Sequence, residues 1–291
     1  MATIENYKKA FEQIKQWIIN DYYTPAIKAE VIYDTLLSPY IAEIVLDQCG
    51  EQVQDDLQLV AKEMSVRDPE ENDEQLLGSK IDYVLADREK SYMIELKTTD
   101  GSFDKNQADL YLKNVGKSFG EVLGNKLLRI LKRKNSKYAC SLSEKLLDGM
   151  SDSALADVSS EMLENMFADI MERHGKGIDP NLNSYADKAR ALLHNKNWAS
   201  TEKYLYTLGQ IIDYLERGNT LWQKPMALIY LTPDGRLGTS RNIGVDDWYV
   251  APANTQCVSL IKAVDLLRSK EDDPVAQMLA DIIENTFRKA K

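Results

Sequence analysis

Two β-rich runs, KIDYVLAD (80–87) and YMIELKT (92–98), stand on either side of the polar tetrapeptide Arg88-Glu89-Lys90-Ser91, and they constrain the fold more than any other stretch. Apolar runs of this length around a short polar junction predict a β-hairpin. With residues 86 and 91 closing the turn, paired positions sum to 177 (86 + 91), so position 84 faces 93 and position 82 faces 95. Side chains alternate between faces along a strand. Asp82, Val84 and Ala86 therefore share a face with Met93, Glu95 and Lys97, while Ile81, Tyr83, Leu85, Tyr92, Ile94 and Leu96 form the other.

This register sets two carboxylates, Asp82 and Glu95, opposite one another in an otherwise apolar hairpin. Like charges across a strand pair repel, and burial sharpens the penalty. Lys97, on the same face, relieves part of it. A hard divalent cation relieves more, because Mg²⁺ and Mn²⁺ prefer carboxylate and carbonyl oxygens. The competing reading is a solvent-facing surface on which Asp82, Glu95 and Lys97 form an exposed salt-bridge cluster of little energetic consequence.

The rest of the chain supplies the frame. Apolar spacing predicts helices over 4–19 and 25–48, the latter bent or divided at Pro39. A strand is predicted at 57–66, an acidic loop at 67–79 and a loop after Thr98, with Gln107 opening a helix. Residues 112–200 read as a helical block, 202–219 as a strong helix stopped at Gly218-Asn219, and 225–235 as a buried strand ending in a Pro233-Asp234-Gly235 turn. A short strand is predicted at 247–252, and the tail, VSLIKAVDLLR and PVAQMLADIIENTFRK, reads as two helices. The order is that of an α/β protein, a mixed sheet flanked by helices, with a helical insertion at about 112–200 and a helical C-terminal tail. We read residues 1–291 as a single domain, since no Gly/Ser-rich or Pro-rich linker divides them.

Composition excludes several kinds of chemistry. The only histidines, His174 and His194, lack metal-ligand spacing, and there is no GxSxG, GxxxxGK[ST] or GxGxxG. Cys49, Cys140 and Cys257 are odd in number and far apart, which predicts reduced structural thiols. No apolar run approaches the roughly 18–20 residues of a membrane span, and no signal core is evident, so a cytoplasmic protein without a membrane partner is expected. The net charge of -10 argues against a nonspecific polyanion binder. Its distribution is uneven. From Lys113 to Lys137 eight basic residues (Lys113, Lys117, Lys126, Arg129, Lys132, Arg133, Lys134, Lys137) stand against Glu121, a local 8 - 1 = +7. Such a segment is either a phosphate-contacting surface or a solvated helix face.

The run KIDYVLADREKSYMIELKTTDGSFDKNQADLYL resembles the core of the PD-(D/E)XK superfamily, which includes restriction endonucleases and RecB-like nucleases. That pattern has an Asp on one strand, E-x-K at the end of the next, and often a following helix with Gln-x-x-x-Tyr. Here these are Asp82, Glu95-Leu96-Lys97 and Gln107 to Tyr111, with Ile81 where the family name has Pro. A second Gln-x-x-x-Tyr, Gln210 to Tyr214, precedes the strand at 225–235. Spacing from Lys97 favours Gln107, whereas adjacency to that strand favours Gln210 as the alternative motif helix.

The resemblance covers about residues 37–111 and 202–235 and implies a restriction-endonuclease-like fold and Mg²⁺- or Mn²⁺-dependent phosphodiester hydrolysis, of DNA ahead of RNA. It implies that Asp82, Glu95 and the Leu96 backbone carbonyl hold the metal, with Glu43, or secondarily Glu30, as a further acid. Lys97 orients or deprotonates water, and Gln107 positions Lys97 or a water. Lys126, Arg129, Lys132, Arg133, Lys134 and Lys137 would grip nucleic acid. A homodimer is compatible with the resemblance. Two other readings stand beside it: a catalytically inactive nuclease-fold module that binds nucleic acid or protein, and an acidic helical adaptor without a site.

Overall fold

The computed structural model describes residues 36–68, 79–98, 103–132, 158–179, 181–194, 203–235 and 255–288. The helix at 4–19, Glu30, Arg133, Lys134, Lys137, Cys140 and the strand at 247–252 lie outside these residues.

Among the described residues five strands, β1 (Gln58–Ser65), β2 (Lys80–Ala86), β3 (Ser91–Leu96), β4 (Met226–Thr232) and β5 (Thr255–Ser259), form one sheet in the order β1-β2-β3-β4-β5. The β2–β3 turn follows from its sequence. The Asp87 N–H donates to the Lys90 carbonyl (3.0 Å), a closing pair whose numbers sum to 177 (87 + 90), as the hairpin register requires. The Asp87 carboxylate accepts the Glu89 and Lys90 N–H groups (2.8 and 2.7 Å) and the Tyr92 hydroxyl (2.7 Å). This is the local side-chain turn that aspartate forms readily. The Lys224 ammonium donates to the Asp87 carbonyl and to the Tyr214 hydroxyl.

Parallel pairing begins at β3. The Ser91 N–H donates to the Pro225 carbonyl (3.0 Å) and the Lys97 N–H to the Leu231 carbonyl (2.9 Å), so both partners advance together. The strands β4 and β5 are also parallel, in a register from Leu228 with Thr255 to Thr232 with Ser259. The sheet is therefore mixed and flanked by helices. Every residue of β3 is buried, and in β4 all but Ala227. Strands covered on both faces read as continuous apolar runs, as SYMIEL and MALIYLT do.

The chain divides into two compact units, residues 1–59, 94–108 and 228–291 in the first and 60–93 and 109–227 in the second. In the first, Gln48 of α1 (Ile41–Cys49) pairs with the Ser259 backbone in both directions, each at 2.8 Å. Here α2 (Lys105–Asn114) begins and then continues into the second unit. In the second unit, the end of α2, a π-helical turn (Gly120–Gly124), α3 (Asn125–Lys132), α4 (Ser160–His174) and α5 (Tyr185–His194) lie in the described part of the helical block, and α6 (Lys203–Glu216) follows it. Asp213 of α6 accepts the Tyr185 and Ala186 N–H groups at the start of α5 (2.7 and 3.0 Å). The two helices approach so closely that a Cβ on Gly209 would meet the Tyr185 carbonyl at 2.7 Å.

Back in the first unit, α7 (Leu260–Ser269) starts directly after β5, its Lys262 N–H capped by the Ser259 hydroxyl (3.2 Å). Asp273 caps α8 (Pro274–Ile283), accepting the Val275 and Ala276 N–H groups, with Pro274 in the first turn. The Tyr40 hydroxyl donates to the same carboxylate (2.7 Å). Burial alone pushes the Asp273 carboxyl up, but the Tyr40, Ala276 and Val275 hydrogen bonds outweigh it and hold the group below its usual range.

The structure departs from the sequence reading at β5. Val258 and Ser259 were expected to open a helix, but they end a strand and the helix starts at Leu260. A strand of five residues running straight into a helix leaves no stretch long enough for its period to be read. Among the described residues no helix is long and apolar enough to cross a membrane.

Asp87→Ala should lower stability by roughly 1–3 kcal/mol or more, because the Tyr92 hydroxyl loses its acceptor in the interior; the midpoint of urea unfolding reads this. Because the folded pKa of Asp273 lies below the unfolded value, its contribution is present above about pH 4 and is lost as pH falls through the folded value. Melts between pH 5 and 2 should therefore slope less steeply for Asp273→Asn than for the wild type.

Candidate active site

The end of β3 carries the chemistry. Glu95 and Lys97 are two residues apart and so share a sheet face. The Lys97 ammonium donates to Glu95 Oε1 at 2.7 Å and to Gln107 Oε1 at 3.0 Å. Glu95 is 3% exposed and Lys97 9%. The reading in which this pair is a solvent-exposed surface cluster is therefore not met. Removing two charges from water costs several kcal/mol per ion before their attraction is counted, so the pair must be closely matched.

Local sequence explains how Gln107 arrives. Asp104 caps α2, its carboxylate accepting the Asn106 and Gln107 N–H groups (2.8 and 3.2 Å). Phe103, just before the cap, is buried with its ring 6.1 Å from that of Tyr230 on β4. The helix start is thus pinned by a cap and an aromatic contact, and Gln107 faces Lys97. One turn further along α2, Tyr111 is fully buried and donates to the Lys80 carbonyl (2.5 Å).

The other expected residues lie as follows. Asp82 is on β2 in the second unit and half-buried. Glu43 is exposed on α1 and ion-paired with Lys270 at 2.5 Å. Lys126, expected on a displayed basic face, is instead 6% exposed, because its face of α3 packs inward. Arg129 is half-buried and donates to the Asn125 side chain (2.7 Å). Lys132 ends α3. On the alternative motif helix, Gln210 Oε1 is buried without a hydrogen-bond partner among the described residues, and Tyr214 takes part in the Lys224 contacts at the hairpin turn. Burial pushes the Cys49 thiol up to about 11, and burial followed by the Asp234 charge does the same to Cys257, so neither is an activated nucleophile. Among the described residues no group of three or more His, Cys, Asp or Glu side chains gathers to hold a metal.

Sequence reasoning missed the residues beside the pair on the next strand. The Lys97 N–H to Leu231 carbonyl bond aligns Lys97 with Thr232, an offset of 232 - 97 = 135. The Ser91 hydroxyl touches Met226 Sδ at 3.0 Å, which is the same offset, 226 - 91 = 135. Glu95 therefore lies beside Tyr230 and Lys97 beside Thr232, on one face of the sheet. The only sequence signal for Thr232 was a polar residue closing the apolar run ALIYL.

No family model, curated protein or solved structure matches this chain.

Lys97→Met removes the cation from the buried Glu95 carboxylate and should cost roughly 3–5 kcal/mol, whereas Lys97→Met with Glu95→Gln should recover much of the loss. Equal loss in the single and the double variant, read by denaturant unfolding, would contradict the pairing.

Proposed function

We propose that this chain is a metal-dependent nuclease of the PD-(D/E)XK type that hydrolyses phosphodiester bonds, with DNA ahead of RNA as substrate. The observation that supports the reading is the buried Glu95–Lys97 pair with Gln107 on the same ammonium. Apolar side chains of similar volume usually serve stability as well as a buried ion pair does, so a pair kept in a fully buried strand argues for chemistry.

A hard divalent cation suits the donors present. Mg²⁺ is commonly held by one or two carboxylates, with waters and substrate phosphates completing its shell. Glu95 and the Leu96 carbonyl would hold it, and Asp82 keeps the ligand role that the sequence pattern gives it. When bound, the cation supplies Lewis-acid polarisation of a phosphoryl oxygen.

The chain's own groups do the rest. An ammonium has three N–H donors, and Glu95 and Gln107 take two. Among the described residues the third has no acceptor, and in this reading it meets the attacking water and charge developing on the phosphate, where a preorganised donor in a dry site acts most strongly. Glu95 Oε1 and Gln107 Oε1 hold Nζ from two sides, so little reorganisation accompanies the reaction. The water oxygen joins phosphorus and the bridging oxygen leaves with a proton. The basic run from Arg129 to Lys137 stays our candidate for backbone phosphate contacts.

The second reading raised by the sequence is an inactive nuclease-fold module that binds nucleic acid or protein. Cleavage of single- and double-stranded DNA and RNA with Mg²⁺ or Mn²⁺ separates the two. The wild type should cleave DNA, and Lys97→Ala should lose about 10²-fold or more. Gln107→Ala, which leaves the ion pair standing, should lose rate while still folding. Equal rates for the wild type and folded Lys97→Ala would sink the mechanism; nucleic-acid binding without cleavage would favour the inactive module.

A further inference from the structure

Thr232 is 3% exposed, and its hydroxyl is buried without a hydrogen-bond partner among the described residues. Buried polar groups in native proteins are nearly always satisfied, so an exception requires a reason. Its position supplies one. Thr232 closes β4 beside Lys97, about 5 Å away by strand spacing, and on the same face. In open α/β sheets, ligands bind at the carboxyl ends of parallel strands. The next residue across, Ser259 on β5, has its hydroxyl already engaged with the Lys262 N–H and the Pro233 carbonyl. Glu95 faces this spot as well, but its charge is matched by Lys97. Lys97 and Thr232 thus occupy neighbouring positions on one face, and the Thr232 hydroxyl has no acceptor among the described residues.

We propose that Thr232 is a further substrate-binding residue, its hydroxyl and the third N–H of Lys97 together seating one oxygen of a phosphate group. Phosphate, as distinct from another oxyanion, rests on the nuclease reading above. Val has nearly the shape of Thr and lacks only the hydroxyl, whereas Ser keeps it.

The test is thermal melting of the full chain as wild type, Thr232→Val and Thr232→Ser, with and without millimolar inorganic phosphate. Without phosphate, Thr232→Val should melt at or above the wild type, since it deletes a group that has no internal partner. Phosphate should raise the melting temperature of the wild type and Thr232→Ser by about 2 °C or more and that of Thr232→Val by clearly less. A marked loss of stability in phosphate-free Thr232→Val would mean that the hydroxyl has a structural partner, and would overturn the proposal. So would equal phosphate shifts in all three proteins, or none in any. Cleavage judges the nuclease reading separately. A Thr232-dependent phosphate shift without cleavage keeps the seat and removes the nuclease, and cleavage without that shift does the reverse.

Discussion

A charged pair at the end of a fully buried strand, Glu95 within it and Lys97 just after it, is the constraint around which this structure is organised. β3 is the middle of the five described strands, and all six of its residues are buried. Such a strand admits charge only where charge is compensated on the spot. Glu95 and Lys97 achieve this through strand geometry, since two residues of spacing returns a side chain to the same face. Gln107 adds a neutral acceptor from α2, and the Asp104 cap and the Phe103–Tyr230 contact keep that helix start in place.

A second buried polar cluster sits at the other end of the hairpin. Asp87, 1% exposed, organises the turn through its carboxylate, while its carbonyl receives the ammonium of Lys224, itself 6% exposed. The Tyr214 hydroxyl completes the contact. These groups satisfy one another and set the hairpin register. At the site end, by contrast, the Thr232 hydroxyl has no partner among the described residues.

Legibility in the sequence followed the length and purity of the local pattern. The hairpin, α6 and β4 were legible because each carries a long periodic run bounded by turn residues, such as Gly218 after α6, whereas α2 starts at Lys105, two residues before the expected Gln107. The strand β5 was not legible, because five residues passing directly into a helix blur two periods into one. The burial of Lys126 was equally invisible. A count of basic residues says nothing about which helix face packs, and a long lysine stem is readily covered by its neighbours.

The sequence by itself determined the hairpin, its turn, and the shared face of Glu95 and Lys97, because these follow from the two-residue period of a strand and from aspartate turn chemistry. Which of two Gln-x-x-x-Tyr helices would reach Lys97 was beyond it, since both spacings were permissible. Only the tertiary structure brought Gln107 to the ammonium, because that depends on where the chain returns after Thr98 and on what anchors it. The placing of Thr232 beside Lys97 was likewise decided by parallel pairing between strands more than a hundred residues apart, a register that no local pattern encodes.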